Sequence, residues 1–344
     1  MILTFKVKHE QDFSNELEQA RKIAEYGIAN RMFSSKDVKQ FGLKSVISNQ
    51  ILRKYARNKQ AKRVSRVKLT IPNQGVKITK DTIVIPALKL TLPFDKKCEK
   101  VNQVELDNEY AYISVTVKEA KQMKVKNWIG VDRNTTGHIA VVGNPKTGKV
   151  WKLGKEAIHI HKKYSELRCG LQKKGKYKLV KAIKQRESHI VRNLNHHVSK
   201  KIVSIAKTNK SGIKLENLKG IRQSSNRTAK SFRYSLNSWS FYQLQQMIEY
   251  KARLLGVPVV YVNPKNTSKE CSRCGVIGLR KDKEFKCPNG HVDNADVNAS
   301  FNIALRQQEA SSRFNKDRDL LKGNSDIPKE ATLITTTTLE PHFI

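Results

Sequence analysis

The sequence predicts an α/β protein: a mixed-sheet domain in the second half, preceded by a small antiparallel β domain with helices let into it. Three observations predict this. From residue 126 to 265, short β-branched runs alternate with helical spacings, the pattern of strands connected through helices. Between 66 and 118 the chain instead runs VKLTI, VKITKDTIVIPALKLTLPF and YAYISVTVKE, β-rich stretches broken by Pro, Asn and Gly. Finally, cysteines at 271, 274 and 287 sit among Lys, Arg and Gly, which are poor core neighbours, so they mark a small module held by something other than apolar packing.

Taken in order, ILTFKVK (2–8) alternates as a strand. Residues 11–33 place Phe13, Leu17, Ala20, Ile23 and Ala24 on one helical face, and SVISNQILRKYARNKQAKRVSRVK reads as a second helix. After the β-rich block, WIGVDRNTTGHIAVVGNPKTGKVWKLG is a strand, a tight turn, a strand, a turn at NPKTG and a third strand. Residues 155–207 form a strongly basic helical pair. GIKLENL (212–218) is a strand, WSFYQLQQMIEYKARLLG (239–256) a helix stopped by Gly256, and VPVVYVNP (257–264) a buried strand. The β-rich block reads as a small antiparallel barrel or sheet, the alternating block after it as an α/β core with a mixed sheet, and the chain after about Arg306 as a poorly ordered tail.

Composition narrows the partners. The 344 residues include 67 basic and 30 acidic side chains, a net charge of +37, and a chain this basic faces a polyanion. Nucleic acid comes before an anionic membrane surface, because no apolar run approaches a spanning length and no signal peptide is present. Five cysteines, three of them clustered, argue against a disulfide framework and for a reducing cytoplasm with one metal site. Cys98 and Cys169 read as ordinary buried thiols or bystanders.

The cluster itself reads C-x2-C, twelve residues, then CPNGH. Two residues between Cys271 and Cys274 let a backbone knuckle aim both sulfurs at one ion, and Cys287 with His291 closes the tetrahedron from an opposing hairpin. Three thiolates and an imidazole favour Zn2+ in a closed structural site. Asp293, between this ribbon and the next motif, is assigned to a turn or the surface.

Three further carboxylates stand out by position. Asp132 ends the apolar strand of WIGVDRN, Glu216 ends IKLENL, and Asp296 opens the helical run of DNADVNASFNIAL. Each alone also suits a turn or a cap, Asp296 most of all as an N-cap. Together, strand acid, strand-end acid and helix-start acid in this order form the layout of an RNase H-like nuclease, where hard oxygen ligands hold two divalent ions.

The order GVDRN, then LENL, then CSRCG…C…DVNASFNIA resembles the TnpB family of transposon-associated, RNA-guided nucleases related to the type V CRISPR effectors. The match covers roughly residues 126–305. It implies an RNase H-like (RuvC-like) α/β nuclease domain over 123–265 and 293–310 with an inserted zinc ribbon over 266–292, plus an N-terminal wedge β-barrel from 1–10 and 66–122 with a helical recognition insertion over 11–65, and a disordered tail over 311–344. Carried over, Asp132, Glu216 and Asp296 are catalytic acids that bind Mg2+ or Mn2+, and Cys271, Cys274 and Cys287 are ribbon thiols, with His291 standing where the family has a fourth cysteine. Family members commonly carry Gly close after the first Asp; here Arg133-Asn134 stands there, and Asn tolerates a left-handed turn nearly as well.

The resemblance further implies a guide RNA derived from the transposon end, double-stranded and single-stranded DNA targets, no membrane partner, a companion transposase as a further partner, and action at the nucleoid in the cytoplasm of a prokaryotic cell. Between Lys39 and Lys68 there are ten Lys or Arg and no acid, so Arg53, Lys54, Arg57, Lys59, Lys62 and Arg63 are candidate nucleic-acid contacts. Asn298 is a candidate to orient Asp296 or touch the scissile phosphate, with helix packing as the alternative. Tyr55, Tyr164 and Tyr177, interleaved with Lys and Arg, suit either base stacking or core packing. The loop 221–238 could be a lid or a surface loop, and His196 and His197 read as helix-face residues. Two readings compete with guided cleavage: an RNA-independent nuclease or transposase, and a nucleic-acid-binding regulator that does not cut.

Overall fold

The computed structural model describes residues 1–57, 63–64, 66–134, 137–218, 241–307 and 333–335. They cluster into two compact units divided between Lys118 and Glu119. In the first, β1 (Ile2–Lys8) leads to the helices α1 (Ser14–Asn30) and α2 (Ser45–Tyr55), followed by β2 (Leu69–Pro72), β3 (Lys77–Ile78), β4 (Thr82–Ile85), β5 (Leu90–Pro93), β6 (Lys100–Leu106) and β7 (Tyr110–Thr116). The strand Leu333–Thr335 lies parallel to β1, where the sequence predicts only a disordered tail; the rest of that tail is outside the described residues. Its neighbours continue in the order β1-β7-β6-β2, and β3-β4-β5 form a second sheet. No ladder among the described residues closes these sheets into the expected single barrel. The alternation in YAYISVT does what it predicts: Ala111, Ile113 and Val115 are fully buried while their neighbours are not.

The second helix is shorter than its sequence period suggests, ending at Tyr55 instead of running to Lys68. Its basic residues are also not all free of acids. Lys54 Nζ reaches Glu105 Oε1 at 3.0 Å, and Lys68 Nζ lies 3.8 Å from Asp107 Oδ2. These partners come from a distant strand, so a search for i,i+4 acids could not find them.

The second unit is built on β8 (Asn127–Arg133), β9 (Ala140–Asn144) and β10 (Lys149–Leu153), an antiparallel meander. The helices α3 (Glu156–Lys173) and α4 (Tyr177–Thr208) return the chain to β11 (Ser211–Glu216), and α5 (Phe241–Leu255) to β12 (Val259–Val262). β8, β11 and β12 run parallel, giving the order β10-β9-β8-β11-β12. β12 is an edge strand and only half-buried, short of the buried strand expected. A three-stranded antiparallel sheet, β13 (Leu279–Lys281), β14 (Glu284–Lys286) and β15 (Val292–Asn294), precedes α6 (Ala295–Leu305).

The core lies between one face of the mixed sheet and α4 and α5. Ile129 and Val131 of β8 and Ile213 and Leu215 of β11 are fully buried against Ile202, Val203, Leu244 and Ile248. Each such side chain contributes about 1.5–3 kcal/mol by leaving water. The even-numbered residues of β8 point the other way, toward α6. There Gly130 and Gly143 pair across β8 and β9. A Cβ on Gly130 would fall 2.0 Å from Ser300 O, and one on Gly143 2.3 Å from Ser300 Oγ. Two glycines thus form a slot that seats the α6 backbone directly on the sheet.

Candidate functional site

The pleat and this slot bring the three predicted acids to one region. Asp132 projects from β8 on the α6 face. Glu216, one step beyond the Leu215–Val131 pair of the parallel ladder, ends β11 on the same face. Asp296 sits in the first turn of α6. The N-cap of that helix is Asn294, not Asp296: the Asn294 side chain accepts from the Asp296 and Val297 amides at 3.1 and 3.3 Å. Asp296 is therefore not spent on capping.

All three carboxylates are buried, at 7%, 7% and 4% exposure for Asp132, Glu216 and Asp296. Burial first, then the charges of Glu216 and Asp296, push the Asp132 carboxyl up to about 7. Asn134 opposes this by donating its Nδ2 to Asp132 Oδ2 at 2.9 Å. Burial also raises Glu216, against the pull of Thr267 Oγ1, which donates to Glu216 Oε1 at 2.5 Å, and of the Arg133 charge. Asn134 holds Asp132, and among the described residues of the turn the left-handed one is Gly137, at φ +80°.

Four neighbours escaped sequence reading. Arg133, 5% exposed on the opposite face of β8, donates to the Glu216 carbonyl at 2.6 Å and to Gln245 Oε1 at 2.9 Å. Thr267 fixes Glu216 from the segment leading into the ribbon. Lys283 Nζ lies 2.5 Å from Asp296 Oδ2, and Arg280 3.4 Å from Asp296 Oδ1, both from the β13–β14 hairpin. The hairpin thereby supplies two cations to the most buried acid. The only hint in the sequence is the density of basic residues in LRKDKEFK, which resembles any solvated turn.

Asn298 makes the contacts of its helix-packing alternative. Two residues beyond Asp296, it lies about 200° around the helix and faces away from it. Buried at 1% exposure, it donates to Glu270 O at 2.7 Å and accepts from the Ser272 amide at 2.8 Å. Asn302, one turn on, donates to Thr267 O and Glu270 O at 2.8 and 2.6 Å. These two asparagines pin the ribbon's entry onto α6.

The ribbon ligands converge. One donor atom from each of Cys271, Cys274, Cys287 and His291 lies within 4.8 Å of every other, the single such group among the described residues. Cys274 Sγ is 3.4 Å from Cys287 Sγ, and His291 Nδ1 is 3.5 Å from Cys271 Sγ. A soft, closed set of three thiols and one imidazole could hold zinc. Buried, mutually repelling carboxylates are the donor set that a divalent cation relieves. Asp293 stands not in a turn but in β15, opposite Phe285, accepting from the Asn294 amide at 2.7 Å and lying 3.8 Å from Arg273.

Of the predicted nucleic-acid contacts, Arg53, Arg57 and Arg63 are exposed, Lys54 is tied to Glu105, and Lys59 and Lys62 lie outside the described residues, as does the loop 221–238. Tyr164 is buried, Tyr55 donates to Arg66 O at 2.9 Å, and Tyr177 is 69% exposed. His196 is half-buried on α4 against Tyr250 and Lys251, a helix-face residue as expected, while Cys169 is exposed and not a buried thiol. Among the described residues no helix is long and apolar enough to cross a membrane.

A mixed sheet in this strand order, with a buried acid on each of two adjacent parallel strands and a third on the helix seated over them, defines an RNase H-like α/β protein. Comparison with known proteins agrees. Residues 241–303 match the family model "Cas12f1-like, TNB domain". The chain is 31% identical over 255 residues to the TnpB-like protein MJ0751 of Methanocaldococcus jannaschii, covering 72% of this chain and 82% of that protein. It is 38% identical over 118 residues to the CRISPR-associated endodeoxyribonuclease Cas12f2 of a Micrarchaeota archaeon, covering 32% of this chain and only 22% of that larger protein. Its fold resembles Cas12f1 in the cryo-EM structure of a Cas12f1-sgRNA-target DNA complex, with a TM-score of 0.59 at 16% identity over 86% of this chain and 82% of that one. The chain belongs to the TnpB family.

Proposed function

We propose that this chain is an RNA-guided DNA endonuclease, encoded by a transposable element, that hydrolyses phosphodiesters with Asp132, Glu216 and Asp296. The observation that carries the reading is the gathering of three buried carboxylates on β8, β11 and α6, in a chain whose relatives include proteins named endodeoxyribonucleases. Two Mg2+ or Mn2+ ions held there would supply an activated water and stabilise the leaving 3′ oxygen. The chain's own residues prepare the site. Asn134 and Thr267 orient Asp132 and Glu216, Arg133 fixes the Glu216 main chain, and Arg280 and Lys283 place positive charge beside Asp296 where a scissile phosphate would lie. Cys271, Cys274, Cys287 and His291 would hold Zn2+ with no open position, so that its role is structural.

In this reading residues 1–10 and 66–122 act as a wedge domain that meets a short duplex motif beside the target, and the insertion 11–65 lends Arg53, Arg57 and Arg63 to the nucleic acid. The protein grips a guide RNA–DNA hybrid by its backbone while base pairing reads the sequence. A guide from the transposon end and work at the nucleoid beside a companion transposase complete the proposal. Sequencing the RNA that co-purifies with the protein tests it: one recurrent scaffold joined to a variable guide is expected. A random small-RNA population would return the chain to an RNA-independent nuclease or a non-cleaving regulator.

A further inference from the structure

The helical hairpin of α3 and α4 contributes little to the acid site, yet its tip has a composition that core packing does not explain. From Leu167 to Arg186 the chain carries eight Lys or Arg and no Asp or Glu. Arg168 is committed inward to Glu187, which leaves seven: Lys173, Lys174, Lys176, Lys178, Lys181, Lys184 and Arg186, all exposed. Like charges this dense repel one another and cost stability unless a polyanion offsets them. At their centre Tyr177 is 69% exposed, beside Leu179 at 51%. The turn at Gly175, with φ +67°, brings the chain round so that Gly175, Lys176, Tyr177, Lys178 and Leu179 line an open concavity of about 510 Å³.

An aromatic ring standing in water, flanked on both sides by lysines, matches one partner better than others. A protein surface would be met by a larger apolar area, and a duplex keeps its bases stacked inside and out of reach of a side chain at a turn. A single strand offers both a π-face for the ring and phosphates at the spacing of its neighbours. We propose that the α3–α4 tip is a contact for single-stranded nucleic acid, in which Tyr177 stacks on an unpaired base and Lys174, Lys176 and Lys178 neutralise the phosphates beside it. The assignment rests on the reading above that the chain works on nucleic acid, but not on its cleaving any.

The test uses the full chain, purified free of RNA, with fluorescein-labelled oligouridine and oligothymidine as probes in anisotropy titrations over a series of salt concentrations. Tyr177→Ala is expected to weaken binding by about tenfold, and Tyr177→Phe to keep wild-type affinity, since the ring and not the hydroxyl does the stacking. Exchanging Lys174, Lys176 and Lys178 together for Ala should flatten the dependence of log affinity on log salt by about two. Photocrosslinking to a 5-iodouridine probe, mapped by mass spectrometry, should mark the peptide holding Tyr177. A stronger effect with oligouridine assigns the tip to RNA, and with oligothymidine to DNA. Because Tyr177 is exposed and remote in sequence from Asp132, Glu216 and Asp296, these variants leave fold and acids untouched. If wild-type protein binds and Tyr177→Ala binds equally well, without a crosslink at the tip, the inference is overturned while the nuclease reading stands. If wild-type protein binds neither probe, both fall.

Discussion

At Asp132, burial and like charge act in the same direction, and the consequence can be measured without any substrate. Its carboxyl is raised to about 7 in the folded chain against an ordinary value near 4, so the folded state holds a proton more tightly than the unfolded one. The stability this contributes is complete below about pH 4 and is lost as pH rises through about 7. Metal-free protein carrying Asp132→Asn should therefore melt several degrees above wild type at pH 8, and the gap should narrow as pH falls and close only near pH 4, as read by calorimetry. Added Mg2+ should stabilise wild type and leave the variant unmoved. A variant that melts lower at pH 8 would show that the carboxylate is already offset by a partner. The three acids were legible in the sequence because each ends or opens an apolar run. Their supporters were not: Arg133 meets the Glu216 carbonyl across 83 residues, and Thr267 meets its carboxylate across 51. Nothing local in GVDRN or NPKNTS announces either contact.

Among the elements, α6 carries both the last acid and the ribbon, so its seating decides the geometry of the site. Gly130→Ala would drive a methyl group into the Ser300 carbonyl and the Ala304 amide, main-chain atoms that cannot swing aside. We expect a loss of about 1–3 kcal/mol, seen as a lower melting temperature, with cleavage falling further than stability because Asp296 is displaced. Gly148→Ala, where nothing lies within 4 Å, is the control for left-handed strain at φ +67° and should leave cleavage intact. The ribbon makes a separate prediction. His291→Ala should release bound zinc to a chelator while His291→Cys retains it, as read by elemental analysis; retention by the alanine variant would remove His291 from the ligand set. Period and punctuation in the sequence located the strands of the mixed sheet, β1, the β-rich block and the long basic hairpin, but not the short strands of the ribbon. They overextended α2, because a helical period in basic residues does not show where packing stops, and left open whether Asp296 caps α6, because Asn294 and Asp296 are equally good cap chemistry.

Over the whole molecule, a net charge of +37 governs behaviour that no single residue does. Binding to any nucleic acid should weaken steeply with salt, and exposed Arg53, Arg57, Arg63 and the hairpin tip share that dependence. The two-unit division near residue 118 follows the change in composition after the β-rich block, whereas the pairings of the N-terminal strands, which join residues far apart in sequence, were not readable there. The central claim is that three acids on β8, β11 and α6 cut DNA. It is tested most directly by measuring cleavage of a guide-matched DNA by the purified ribonucleoprotein in Mg2+, wild type beside Asp132→Ala, with RNA content and DNA binding checked in both. The account predicts that the variant binds RNA and DNA as wild type does and cuts at least about a thousandfold more slowly. Cleavage that survives in the Asp132→Ala protein would contradict it.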